Sequence, residues 1–251
     1  MIKTEKLTKV FRTEEVETFA LNEVDIHIKE GEFVSVMGPS GCGKSTLLNI
    51  LGLLDHSTGG SYLLKGTEVG GLKEKERSRF IRENIGFVFQ SFNLLPYLTA
   101  EGNVEMPMIF AGKKPKERKE RVRELLDRVG MADRAHHKPN EMSGGQQQRI
   151  AIARALANSP DIILADEPTG NLDTEAGQEI MKLLSDLHHS GKTIIMVTHE
   201  PEIAEHTRRI VRLQDGLVVS DKPVRQPRQA SERAYARRAR DLTNGNNGLE
   251  S

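Results

Sequence analysis

The sequence predicts an α/β fold with a mostly parallel central sheet, an N-terminal antiparallel β-subdomain and a helical insertion. Three observations carry that prediction. Phe33–Met37 is an apolar, β-branched run leading into Gly38-Pro39-Ser40-Gly41-Cys42-Gly43-Lys44-Ser45, a full match to G-x-x-x-x-G-K-[ST], with a helix start at Thr46. Further apolar runs alternate with amphipathic stretches, as parallel strands and crossover helices must. Residues 92–157 have a different texture and read as a mostly helical insertion.

The elements follow in order. Residues 2–10 alternate and read as a strand, and residues 20–28 as a second one closed by Lys29-Glu30-Gly31. Two antiparallel strands ahead of the Gly-rich loop suggest a β-subdomain beside the main sheet. Residues 61–65 form another strand between Gly60 and Gly66, and residues 73–81 a charged helix. Ile85–Phe89 is a buried strand ending at Gln90. Leu94, Leu95, Tyr97 and Leu98 crowd an irregular segment before a helix that carries Val104, Met106, Met108, Ile109 and Phe110. Residues 116–129 place Val122, Leu125, Leu126 and Val129 on one helical face. A helix is expected over 143–157, a strand over 162–165, a helix over Thr174–His189 and a strand over Thr193–Val197. A short helix at 202–205 and two strands, 209–213 and 217–220, close the domain around Asp215-Gly216. After residue 220 the chain is basic and poor in apolar residues, so 221–251 is expected to be a disordered tail, with a transient helix at 231–240.

Bulk properties narrow the function. The 251 residues carry 36 Lys and Arg against 36 Asp and Glu, so nothing marks a polyanion binder and no nucleic-acid partner is expected. No apolar run approaches the ~18 residues of a membrane span, and charge from Lys3 onward argues against a signal peptide. The chain is expected to be cytosolic, meeting a membrane only through a partner. Cys42 is the one cysteine, which rules out an intrachain disulfide.

Three stretches carry chemistry. The glycines of the 38–45 loop let successive N–H groups turn toward one anion, and the following helix adds its positive end. Lys44 would reach the β- and γ-phosphates of a nucleotide, Ser45 would hold Mg²⁺, and Thr46 would touch the α-phosphate. Ile162-Ile163-Leu164-Ala165-Asp166-Glu167 is an apolar strand ending in two carboxylates. Asp166 suits the metal, and Glu167, facing another way, can orient a water toward the γ-phosphate. Ser143-Gly144-Gly145-Gln146 pairs a good N-cap with two glycines at a helix start, a second anion-binding terminus.

SGGQQQR lying between the phosphate loop and ILADEP resembles the signature of ATP-binding-cassette (ABC) ATPases, with a P-loop NTPase fold and a helical signature subdomain. Across residues 1–220 the family's elements appear in its order: Gln90 after a strand, SGGQ, Asp166-Glu167, Asn171-Leu172-Asp173 and His199 after TIIMVTH. Met142 and Phe11 stand where the family more often has Leu and Tyr. The resemblance implies ATP and Mg²⁺ as ligands and a head-to-tail homodimer in which Ser143–Gly145 of one copy closes over ATP on the other. It assigns Glu167 as general base, His199 to the γ-phosphate, Gln90 to Mg²⁺ and the attacking water, Asp173 to the dimer interface and Phe11 to adenine. It also implies an integral-membrane transporter subunit as partner, no direct contact with the transported substrate, and a peripheral place on the cytoplasmic face of the inner membrane. FVFQSFNLLPYLTAEGNVEMP and ILADEPTGNLD are similar to the branch serving lipoprotein release and macrolide-type export, which also includes a division-associated regulatory cassette. A soluble cassette acting on nucleic acid is the more distant alternative. The groove for the membrane partner is expected at residues 92–97 with 106–110.

Overall fold

A computed structural model describes residues 1–12 and 16–228. The expected helix at 231–240 lies outside the described residues.

Two sheets organise the chain. Strands β1 (Ile2–Arg12), β2 (Glu17–Ile28), β4 (Gly59–Leu64) and β5 (Thr67–Glu68) form an antiparallel sheet in the order β2-β1-β4-β5. The main sheet runs β10-β9-β3-β8-β7-β6, from β3 (Phe33–Met37), β6 (Ile85–Phe89), β7 (Ile162–Asp166), β8 (Thr193–Val197), β9 (Arg209–Gln214) and β10 (Leu217–Pro223). Its pairings are parallel except β9–β10. Helix α1 (Lys44–Leu51) follows β3 and α2 (Glu74–Asn84) precedes β6. The insertion carries α3 (Ala100–Phe110), α4 (Pro115–Arg128) and α5 (Gly144–Ala155), and α6 (Thr174–His189) and α7 (Pro201–Ala204) complete the set.

The continuous apolar strands are explained by burial on both faces. Side chains of a strand alternate, so Phe33, Ile163, Ala165, Ile194 and Met196 enter the core under α3 to α6. Val34, Val36, Ile162, Leu164, Ile195 and Val197 enter the opposite core, with α1 and the antiparallel sheet. A one-residue slip in any of these strands would exchange the two sets, which pins the register. Between α5 and α6, Arg149 and Glu179 form a buried ion pair of 2.7 Å, and Arg149 also donates to the Val129 carbonyl at 3.0 Å.

Several expectations need correction. Strands β1 and β2 extend to Arg12 and start at Glu17, because they pair through Arg12↔Glu17 across a longer hairpin. The strand expected at 61–65 starts at Gly59, whose pairing with Thr8 reaches past a bulge. The two-residue β5 was not expected. Ser143 is the cap of α5, not part of it, and the helix stops at Ala155 with Leu156 as C-cap.

The boundary after residue 220 also moves. β10 runs to Pro223, and Asp221 accepts two hydrogen bonds from Arg209, both 2.6 Å. Arg228 donates its backbone N–H to the Glu205 carbonyl at 2.9 Å and pairs with the Glu205 and Glu202 carboxylates at 2.6 and 3.4 Å. Composition could not reveal this order, because the partners of this polar segment lie on earlier elements.

Candidate functional site

The parallel strands deliver their C-terminal ends to one edge, where open α/β sheets bind ligands. Register does the alignment. Val36 pairs with Val197, Asp166 with Val197 and Phe89 with Asp166, so the phosphate loop, His199, Glu167 and Gln90 all begin at the same end of neighbouring strands.

The loop 38–43 is shaped by what its glycines exclude. A Cβ at Gly38 would lie 2.2 Å from the Leu213 carbonyl oxygen, and one at Gly43 would lie 2.2 Å from that of Ala20, where φ is also +102°. No L side chain fits either place. Lys44 is buried, and its ammonium donates to the Gly38 and Pro39 carbonyls at 2.9 and 2.8 Å, so the lysine is held inside the loop. A cleft of about 800 Å³ opens above, lined by Gly38, Pro39, Ser40, Gly41, Gly43, Lys44, Ser45 and Thr46 together with Glu167, His199, Pro201 and Arg212. Cys42 is the exception within the loop: its side chain turns away into the core beneath. Only its backbone could serve a ligand.

Glu167 occupies a left-handed backbone position, φ 43°, anchored by its N–H to the Val197 carbonyl at 2.9 Å. A non-glycine residue there is strained, a feature that gathers at functional sites. His199 Nδ1 lies 2.9 Å from Glu167 Oε1, so the imidazole fixes the direction of the carboxylate. Burial raises the Asp166 carboxyl above the usual carboxylate range and the Glu167 charge adds to this, with Lys44 and the Ser45 hydroxyl opposing. Asp166 and Ser45 both offer hard oxygen donors, and a half-buried carboxylate whose charge is disfavoured by burial fits a small divalent cation beside it.

Other predicted site residues stand apart from this cleft. Ser143 accepts from the Gln146 N–H at 3.3 Å while Gln146 Oε1 accepts from the Ser143 N–H at 3.0 Å, closing a capping box. A Cβ on Gly145 would meet Ala176 Cβ at 2.9 Å, so that glycine lets α5 approach α6. Asp173 caps α6 by accepting from the Ala176 N–H at 2.9 Å. None of residues 143–146, nor Asp173, lines the cleft. Gln90 is turned to Asn171, with Nε2 3.4 Å from Asn171 Oδ1, and the Asn171 amide donates to the Gln90 carbonyl at 3.1 Å. Phe11 is 49% exposed on the antiparallel sheet, outside the cleft lining.

Some supporting residues escaped the sequence argument. Arg212 lines the cleft from β9. Arg154 donates to the carbonyls of Phe92 (2.9 Å) and Asn93, two residues with positive φ just past Gln90. Gln148, fully buried, donates to the Pro168 carbonyl at 2.6 Å and so holds the turn after Glu167. Each acts on a distant carbonyl or cleft, and no local pattern signals that.

The segment expected to form a partner groove divides. Leu94 and Met108 belong to the core of the helical lobe. Tyr97, Ile109 and Phe110 are exposed, and Asn93 and Pro107 line a groove with Phe87, Phe89 and Arg154.

A phosphate-binding loop at the strand ends, a paired acid and imidazole beside it and a helical lobe with a second glycine-rich cap define a P-loop ATPase of cassette type. The profile of the ABC transporter family matches residues 21–170, and the chain belongs to that family. It is an ATP-binding subunit of an ABC transporter and an ATPase. It is 55% identical over 84% of its length to an uncharacterized ABC transporter ATP-binding protein of Thermotoga maritima, covering 90% of that protein. It is 54% identical over 81% of its length to YknY of Bacillus subtilis, an uncharacterized ABC transporter ATP-binding protein, covering 89% of it. It is also 51% identical over 86% of its length to the macrolide export ATP-binding/permease protein MacB of Bradyrhizobium diazoefficiens, but spans only 33% of that protein. Among solved structures it is similar to the ATP-binding cassette MJ0796 in a dimeric post-hydrolysis state bound to ADP and Pi, with TM-score 0.83, 48% identity, and coverage of 90% of this chain and 99% of that one. Among the described residues no helix is long and apolar enough to cross a membrane.

Proposed function

We propose that two copies of this chain pair head to tail around ATP, and that their closure and reopening drive an integral-membrane partner in a lipoprotein-release or macrolide-type export system. The observation that carries this reading is the separation within one copy of two anion-binding termini. The cleft holds the phosphate loop, Glu167 and His199, while Ser143–Gln146 stand outside it. A second copy bringing its Ser143–Gly145 over the cleft would complete the site, with Asp173 beside the junction. The dimeric MJ0796 cassette supports it by likeness.

The roles are those the family resemblance implies, and the cleft lining of loop 38–46, Glu167 and His199 supports its phosphate end. The N–H groups of 38–46 would wrap the phosphates, and Lys44 would exchange its loop carbonyls for β- and γ-phosphate oxygens. Ser45 and Asp166, with Gln90, would hold Mg²⁺, which when bound supplies positive charge against the phosphates. Glu167 would accept a proton from the attacking water, and His199 would keep its carboxylate aimed while touching the γ-phosphate. Phe11 would stack on adenine.

The exposed Tyr97, Ile109 and Phe110 and the groove of Phe87, Phe89 and Pro107 offer an apolar surface next to Gln90, suited to a cytoplasmic helix of the membrane subunit. That docking would hold the chain at the cytoplasmic face of the inner membrane, away from the transported substrate. Phe110→Glu is expected to abolish co-purification with the membrane subunit of the transporter, while phosphate release by the isolated chain stays within about twofold. Retained co-purification with stimulated turnover would rule this surface out.

A further inference from the structure

We infer that Lys9 is a positioning residue for the nucleobase, holding the Phe11 ring at a fixed distance from the phosphate-binding helix. This deepens the assignment of Phe11 to adenine and rests on it. The Lys9 side chain is only 11% exposed, an unusual place for an ammonium. It donates to Asp55 Oδ1 at 2.8 Å and to the His56 carbonyl at 2.7 Å. Its third direction lies over the Phe11 ring, 5.0 Å from the centroid.

Both anchors lie just past the C-terminal end of α1, the helix whose first turn faces the cleft. Asp55 follows α1, and the N–H groups of Leu54 and Asp55 donate to the Asn49 carbonyl at 2.8 and 3.3 Å, tying that turn to the helix. The opposite end of α1 carries Lys44, Ser45 and Thr46 in the cleft. Burial alone would raise the Asp55 carboxyl, but the Lys9 bond and charge and the His56 N–H outweigh it and hold it below the usual carboxylate range. The Asp55 carboxyl is therefore held as the anion that accepts the Lys9 bond. Lys9 thus links β1 to the helix whose first turn binds phosphate. The ammonium stands over the Phe11 ring and about half of the residue is exposed, which leaves ring surface for a base to stack on.

The test uses the full chain and two probes that are not hydrolysed, ADP and, lacking a base, inorganic tripolyphosphate in competition. Lys9→Met is expected to weaken ADP about fivefold and leave tripolyphosphate unchanged, because only the base loses its platform. Lys9→Arg, keeping a cation over the ring, is expected to recover most of the loss. In a Phe11→Ala background Lys9→Met should add nothing, since the two residues act as one unit. Equal weakening of both probes, or additive losses in the double variant, would mean that Lys9 only supports the fold, and would overturn the inference. Phe11→Ala weakening ADP while Lys9→Met leaves it unchanged would overturn it and spare the stacking assignment. Phe11→Ala with unchanged ADP affinity would remove both.

Discussion

Gly145 sets how closely the helix that Ser143 caps can approach the one that Asp173 caps. A methyl there meets Ala176 Cβ at 2.9 Å, and neither helix backbone can withdraw without moving the Ser143 and Asp173 caps. Gly145→Ala is expected to cost ~1–3 kcal/mol of stability as overpacking and to reduce turnover in proportion to the misplacement of Ser143. Urea denaturation with a phosphate-release assay checks both; unchanged stability would mean that the helices part freely. At this scale contiguous motifs were legible in sequence: 38–45, Asp166-Glu167 and 143–146 stand together in the chain and on the molecule. Lys9, Arg154 and Gln148 were not legible, because each side chain serves a ring or carbonyl on another element. Cys42 read as a loop contact, yet its side chain fills the core below, and no neighbour in sequence distinguishes those two directions.

Among elements, those with continuous apolar runs were legible because both faces are buried. Ile85–Phe89 and Thr193–Val197 have the bounds that the sequence suggests, and so does the amphipathic helix Thr174–His189, whose one buried face sets a helical period. The ends of the antiparallel strands and of β10 were not, since cross-strand pairing and ion pairs fix them. The segment 221–228 matters most here. Composition predicts a disordered tail from residue 221 onward. Yet Arg228 clamps Glu202 and Glu205 around α7, which begins two residues after His199. Ending the chain after residue 222 is expected to lower kcat several-fold by loosening His199, whereas ending it after residue 230 should leave kcat within about twofold. Arg228→Ala should reproduce part of the first effect. Equal activity in both shortened chains would show that the clamp does not reach His199.

Across the whole molecule, acid should weaken the fold through two histidines. Burial lowers the pKa of His188, against the opposing bond from its ring to the Gly31 carbonyl, and burial likewise lowers that of His206. A pKa depressed in the folded state means that the unfolded chain binds more protons there, so stability is full above the ordinary value of 6.5 and falls as pH drops through it toward the folded values. Asp166 works in the opposite sense, since its raised carboxyl takes up its proton more readily when folded, but from an ordinary value of 3.8 it acts at lower pH. Tm measured without nucleotide is expected to fall by a few degrees between pH 7.5 and pH 6, and His206→Gln should flatten that slope. A flat profile in the unaltered chain would contradict the burial of these rings.

The central claim is that the site is completed only by a second copy. Glu167→Gln keeps the shape of the side chain but cannot accept a proton, so turnover should fall by ~10²–10⁴. Lys44, Ser45 and the loop N–H groups are untouched, so ATP should still bind and hold two copies closed. Size-exclusion chromatography with light scattering, run on Glu167→Gln with ATP and Mg²⁺, tests this most directly. The expected result is a dimer that needs ATP, is absent with ADP, and does not form when Lys44→Ala is added. A Glu167→Gln chain that stays monomeric with ATP bound and turns over at the unaltered rate would contradict both the base and the shared site.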